Sequence, residues 1–203
     1  MYSLYNRYIK GVFEEVTNII TVYLRSVGKP AKVSVSMKLF DVTYCSEIDT
    51  KSIRIFTAFR DKETYEKTER EIGGRHYSIT ANGDFQLCLT KESYIRNNIP
   101  ANAGDYANEN YPSSMQYYNS TVVVPIICDY KSDKNIFGYL CCDTLNEDTT
   151  VEVFDKKVSD IMYTAALTMG IFFDTINSCW DYTDDLNKKE FLTFVHDKCY
   201  KGI

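Results

Sequence analysis

The chain is short of the residue groupings that most often carry chemistry. It holds two histidines, His76 and His196. Neither has a cysteine, histidine or carboxylate at ligand spacing on a shared helical face, which argues against a metal site. Seven cysteines are present, yet none form a C-x-x-C pair or a zinc-ligand grouping. No G-x-S-x-G elbow occurs. Basic clusters are missing as well: 23 Lys and Arg stand against 28 Asp and Glu, for a net charge of -5. Phosphate backbones are bound by concentrated positive charge, so nucleic acid is not expected as the primary partner. No apolar run approaches the length of a membrane span. The N-terminus lacks a basic region followed by an apolar block, so no signal peptide is expected. The cysteines read as small buried apolar residues in a reducing compartment, and the expected location is the cytoplasm.

What is present is regular. From Leu4 to Val27, Tyr5, Ile9, Val12, Val16, Ile19 and Tyr23 recur in steps of four and three. That is a helical seam, and Leu4, Tyr8, Phe13, Ile20 and Leu24 widen it. Gly28 and Pro30 predict its end. Lys32–Asp41 alternates as a half-buried strand, with Val33, Val35, Met37 and Leu39 on one face and Ser34, Ser36 and Lys38 on the other. Ser52–Arg60 is its predicted antiparallel partner, with Ile53, Ile55, Thr57 and Phe59 on one face. Charged Asp61–Ile72 predicts a short helix, Tyr77–Ile79 a short strand, and Thr80–Lys91 a helix with Phe85, Cys88 and Leu89 toward the core. Tyr94–Tyr117 has little periodicity and reads as a long loop, a kind of segment that is usually functional. A second seam, Phe154, Val158, Ile161, Ala165, Thr168, Phe172 and Ile176, marks a long helix. Leu186–Cys199 is a final amphipathic segment. Seventeen tyrosines suit sheet surfaces, pocket walls and interfaces.

Between Tyr118 and Thr144 the β-branched run Ser120–Cys128, the polar Asp129–Asn135 and the apolar Ile136–Cys142 predict a long-looped hairpin at the centre of a sheet. Adjacent Cys141 and Cys142 should point to opposite faces. Asp143, at the strand end, is expected to hold the following loop. Tyr118, Ser120, the strand ending Pro125-Ile126, Phe137-Gly138-Tyr139-Leu140, Asp143 and Phe154 resemble the C-terminal half of a GAF domain. The resemblance covers residues 30–178. It implies an α+β fold: an antiparallel sheet with the long N- and C-terminal helices on one face and loops and short helices on the other, enclosing a pocket. It divides the chain into a helix at 1–29, a GAF-like domain at 30–178 including the helix 154–178, and a helical extension at 179–203.

The signatures of particular GAF subfamilies are not matched. Asn146 is followed by Glu147 rather than Lys, and Val158-Ser159 stand where cyclic-nucleotide-binding members carry an acidic pair. Cys88 and His76 are not spaced as a bilin site, and Asn98–Gln116 lacks the cysteine of the methionine sulfoxide reductases. The expected function is a non-catalytic signalling or regulatory module that binds a small molecule or relays a signal through a helical homodimer. A ligand-free protein-interaction scaffold and a cysteine-dependent redox enzyme are the alternatives. Under the Tyr94–Tyr117 loop, Phe85, Tyr94, Arg96, Tyr106 and Tyr118 form the expected ligand site, apolar walls with hydroxyl and cationic handles. No cofactor is identified by the sequence, and no membrane partner is expected.

Overall fold

The structure, a computed structural model, describes residues 2–40, 54–61, 76–90, 92–101, 107–108, 118–128, 135–145 and 152–180. The first helix, α1, runs Tyr2–Ser26. It ends where Gly28 takes a φ of 74°. Gly28 N–H then bonds Arg25 O at 3.1 Å and Lys29 N–H bonds Leu24 O at 2.8 Å. This closing motif needs a left-handed residue, which glycine adopts at least cost.

Six strands follow in one antiparallel sheet: β1 (Val33–Phe40), β2 (Arg54–Arg60), β3 (His76–Ser78), β4 (Tyr94–Arg96), β5 (Thr121–Cys128) and β6 (Asn135–Thr144), in spatial order β3-β2-β1-β6-β5-β4. The five strands expected from sequence, the short one at Tyr77–Ile79 included, all lie in it. β4 was not expected: Tyr94–Arg96, read as the start of a loop, pairs with Val123–Thr121 on β5. Its three residues are too few to show a period, and the long partner strand supplies the pairing that local sequence lacks. The expected helix Thr80–Lys91 is instead a 3-10 turn at Ile79–Ala81 and a short helix, α2, at Gly83–Cys88. Asn82 separates them in extended conformation, its side-chain amide donating to Ser78 O at 2.6 Å. The long helix α3 spans Lys156–Trp180. Asp155 opens it, accepting the Val158 N–H at 3.2 Å. Residues 62–72 of the expected charged helix and the segment Leu186–Cys199 lie outside the described residues.

The sheet has a helical face and an opposite face. On the helical face Val35, Met37, Val122, Val124, Ile126, Leu140 and Cys142 pack against Ile9, Phe13, Val16, Ile20 and Leu24 of α1 and Val158, Met162, Ala166, Met169 and Phe173 of α3. Each Val, Leu, Ile, Phe or Met among them contributes about 1.5–3 kcal/mol when fully buried. Both long helices share this face, as the resemblance implies. The buried stripe of α1 is rotated from the expected seam: Phe13, Ile20 and Leu24 are buried, whereas Ile19 is exposed. A helix over a twisted sheet is buried along 3.6-residue periodicity, not the 3.5 of a two-helix seam. In α3 the seam residue Phe172 turns toward α1, where its ring stacks on Tyr8 at 3.9 Å. Tyr8 O–H donates to Thr168 O at 3.3 Å, and Tyr23 O–H to Asp155 Oδ2 at 2.7 Å, so the two helices run antiparallel.

Two bulges adjust the sheet. Met37 pairs with Phe59 and Lys38 with Thr57, leaving Ala58 extra. Phe59 therefore packs with the helical core, on the face opposite Ile55 and away from the position that strict alternation expects. Ile126 pairs with Gly138 and Ile127 with Ile136, leaving Phe137 extra; its ring lies 4.5 Å from Phe173. Each bulge turns one more apolar side chain toward the helices. Where α3 crosses β5, Gly170 rests against the carbonyl of Ile127, with no room for a Cβ. Asn97, just beyond β4, holds the chain entering α3: its Nδ2 donates to Phe154 O at 2.7 Å and its Oδ1 accepts Phe154 N–H at 2.9 Å.

Candidate functional site

The opposite face has a different chemistry. The strand register places Arg96, Thr121, Asp143 and Ser34 in one row across β4, β5, β6 and β1. Tyr94, Val123, Cys141 and Ser36 form the next, and Tyr139, Lys38 and Thr57 a third across β6, β1 and β2. Ser34, Ser36, Thr57, Thr121 and Asp143 are all buried. The expectation of a half-buried β1 is thus corrected: β1 is central, flanked by β2 and β6, and covered on both faces.

Buried polar groups are costly unless hydrogen-bonded. Thr121 Oγ1 donates to Asp143 Oδ1 at 2.8 Å, and Ser34 Oγ to Asp61 Oδ2 at 2.6 Å. Asp143 thereby ties β6 to β5 across the ladder. Thr57 Oγ1 accepts from Lys38 Nζ at 3.0 Å. The same ammonium lies over the Tyr77 ring, 4.7 Å from its centroid, and 5.7 Å from that of Phe85.

Helix α2 covers these rows. Phe85 and Cys88 pack with Ile55, Ile79, Val123, Tyr139 and Cys141 in a second apolar cluster. The Phe85 and Tyr139 rings are 5.1 Å apart, and Tyr139 O–H donates to Phe85 O at 3.2 Å. Gly83 N–H bonds Ala107 O at 2.9 Å. Helical phasing that buries Phe85 and Cys88 also buries their neighbour Asp84, a carboxylate only 4% exposed. Its Oδ1 accepts the Phe85 N–H at 2.9 Å. Burial pushes its pKa up to about 7; the Phe85 N–H and Lys38 oppose this, and Asp143 adds to it.

The sequence-expected site residues are only partly brought together. Phe85 is in the apolar cluster, and Tyr94 packs at its edge. Arg96 lies in the polar row on the same face. Tyr118 is in a small separate cluster with Ile99, to which Tyr94 also packs, and its hydroxyl accepts from Asn108 Nδ2 at 3.2 Å. Tyr106 lies outside the described residues. Sequence reading passed over Lys38, Thr57, Asp84 and Tyr139. The available signal was polar residues alternating along β1, which acquire meaning only once β1 is known to be central.

No family model and no curated protein matches the sequence. Solved structures are similar in shape. A far-red cyanobacteriochrome photoreceptor aligns over 86% of this chain and 93% of its own, with 9% identity and a TM-score of 0.48. The GAF domain of the Acinetobacter phosphoenolpyruvate-protein phosphotransferase aligns over 86% and 96%, with 11% identity and a TM-score of 0.48. The blue-light-absorbing PixJ GAF domain of Thermosynechococcus elongatus aligns over 88% and 96%, with 12% identity and a TM-score of 0.41. Two of these three are GAF domains.

The adjacent Cys141 and Cys142 point to opposite faces, as sequence expected. Cys142 faces the helical core and Cys141 the opposite cluster. Burial pushes the thiols of Cys88 and Cys128 up to about 12, and those of Cys141 and Cys142 upward as well. Nucleophilic or redox-active cysteines have the opposite shift. No helix among the described residues is long and apolar enough to cross a membrane.

Proposed function

We propose that this protein is a non-catalytic sensory or regulatory module that binds a small molecule on the polar face of its sheet. The observation that carries this reading is the asymmetry between faces. One is filled by apolar side chains against two helices, while the other buries Ser34, Ser36, Thr57, Thr121, Asp143 and Asp84 among aromatic rings. Apolar walls with a few placed polar groups are what a ligand site requires. Phe85 and Tyr94 supply wall, Arg96 and Lys38 supply cations, and Tyr118 supports Tyr94 from outside. Tyr106 belongs to this site on the sequence argument alone. The raised thiols give no support to a cysteine-dependent redox enzyme.

The output would pass through the helical layer. Val22 on α1 is 64% exposed and Ile171 on α3 68% exposed, apolar surface that a homodimer would cover. We place the protein in the cytoplasm on its composition. Native mass spectrometry of protein purified from its own host tests the reading directly: a copurifying small molecule, lost in Arg96→Ala while the fold is retained, supports it. A protein that carries no ligand, and whose melting temperature no metabolite raises, is instead a ligand-free scaffold.

A further inference from the structure

Lys38 and Asp84 carry opposite charges on the same face of the sheet, near enough to influence each other, yet no ion pair joins them. The Lys38 ammonium donates to Thr57 Oγ1 alone, leaving two N–H groups unused. The Asp84 carboxylate accepts the Phe85 N–H on Oδ1 and its own backbone N–H, and no cation bonds it directly. Around them stand the rings of Tyr77, Phe85, Tyr94 and Tyr139. Asp143, Cys88 and Cys141 also face Asp84, and none of them supplies positive charge. A buried carboxylate without a directly bonded cation is costly, as is a half-buried ammonium sandwiched by rings. An anionic ligand would satisfy Lys38 and worsen Asp84; a cationic one would do the reverse. A neutral ligand would leave the Lys38 ammonium unpaired and Asp84 still favouring its proton. A molecule with both charges pairs the ammonium and stabilises the ionised carboxylate.

We propose that Lys38 and Asp84 are the two poles of a site for a small zwitterion, a free α-amino acid with an apolar or aromatic side chain. Its carboxylate meets the Lys38 ammonium, its ammonium meets the Asp84 carboxylate, and its side chain lies against Phe85 and Tyr94. This names the ligand class of the site proposed above and rests on that reading.

The test is calorimetric titration of the full chain with the free L-amino acids. Any amino acid that binds is followed by its methyl ester, which keeps only the ammonium, and its N-acetyl derivative, which keeps only the carboxylate. The intact amino acid should bind at least about tenfold more tightly than either derivative, since each derivative gives up one charge-assisted hydrogen bond. Asp84→Asn should erase the preference for a free amine and keep that for a free carboxylate; Lys38→Met should do the converse. A misfolded variant cannot give this crossed pattern. Equal binding of all three compounds, or variants that leave both preferences intact, would overturn the proposal. If no amino acid binds but a different metabolite copurifies and is lost in Arg96→Ala, the zwitterion is wrong and the sensory reading stands. If nothing binds or copurifies, both fall.

Discussion

The two faces of this sheet are made by the same strands and obey different rules. On β1, Val35, Met37 and Leu39 look toward the long helices, while Ser36 and Lys38 between them look toward α2. On β6, Leu140 and Cys142 belong to the helical core, Tyr139 and Cys141 to the other cluster. The helical face is built for stability: apolar, close-packed and broadened by two bulges. The other accepts buried hydroxyls and carboxylates that a purely structural core would replace with valine. Stability is thus concentrated on one side of a layer one strand thick, and cost on the other.

Four experiments would break or sharpen that contrast. The largest effect is expected at Gly170, where an added Cβ collides with the Ile127 carbonyl. Gly170→Ala should cost about 4 kcal/mol or more in urea denaturation, because backbone cannot yield as a side chain can. Met162→Ala, in the fully buried centre of α3, should cost about 2–5 kcal/mol by the same measurement.

On the opposite face the sign reverses. Asp84 holds its proton up to about pH 7 in the folded protein, against an ordinary value of 3.8. Its folded pKa is raised, so its contribution to stability is fully present below about pH 4 and is lost as pH climbs to about 7. Asp84→Asn keeps the oxygen that accepts the Phe85 N–H and removes the charge. The ligand-free variant should therefore be more stable than wild type at pH 8 by about 2–4 kcal/mol, with the fall between pH 4 and 7 flattened in melting curves. A variant less stable at pH 8 would show that this face is ordinary core.

The smallest effect on the fold is expected at Ile171, on the outer side of α3. Ile171→Ser should change monomer stability by no more than about 0.5 kcal/mol. If α1 and α3 form a dimer interface, the same change should dissociate it in sedimentation equilibrium. A wild-type monomer of 23.5 kDa would remove the dimer.

Much of the architecture was legible because alternation and helical period are local. The β5 and β6 runs, the α1 stop at Gly28 and the opposed Cys141 and Cys142 needed only neighbouring residues. What was not legible depends on pairing. Three residues of β4 become a strand only because β5 offers an edge, and Phe59 changes face only because Ala58 bulges out against β1. The site was hidden for the same reason. Ser34, Ser36 and Lys38 look like the wet side of a strand until both neighbours of β1 are known. Phe85 and Tyr94 stand out in sequence as aromatic rings beside an apolar cluster, and both pack there; Asp84 resembled any charged residue on a short helix.

Asn97 gives the molecule a point of mechanical contact between its two sides. It follows the edge strand that carries Tyr94 and Arg96, and grips Phe154 at the entrance to α3 by bonding both the N–H and the C=O of that one residue's backbone. If a ligand on the proposed site shifted that strand edge, the shift would draw on the foot of a 25-residue helix with no intervening slack, and a helix of that length would magnify a small tilt at its foot into a larger sweep at its far end. Under the proposed ligand-binding function, this amide is the linkage through which occupancy on one side would become motion on the other.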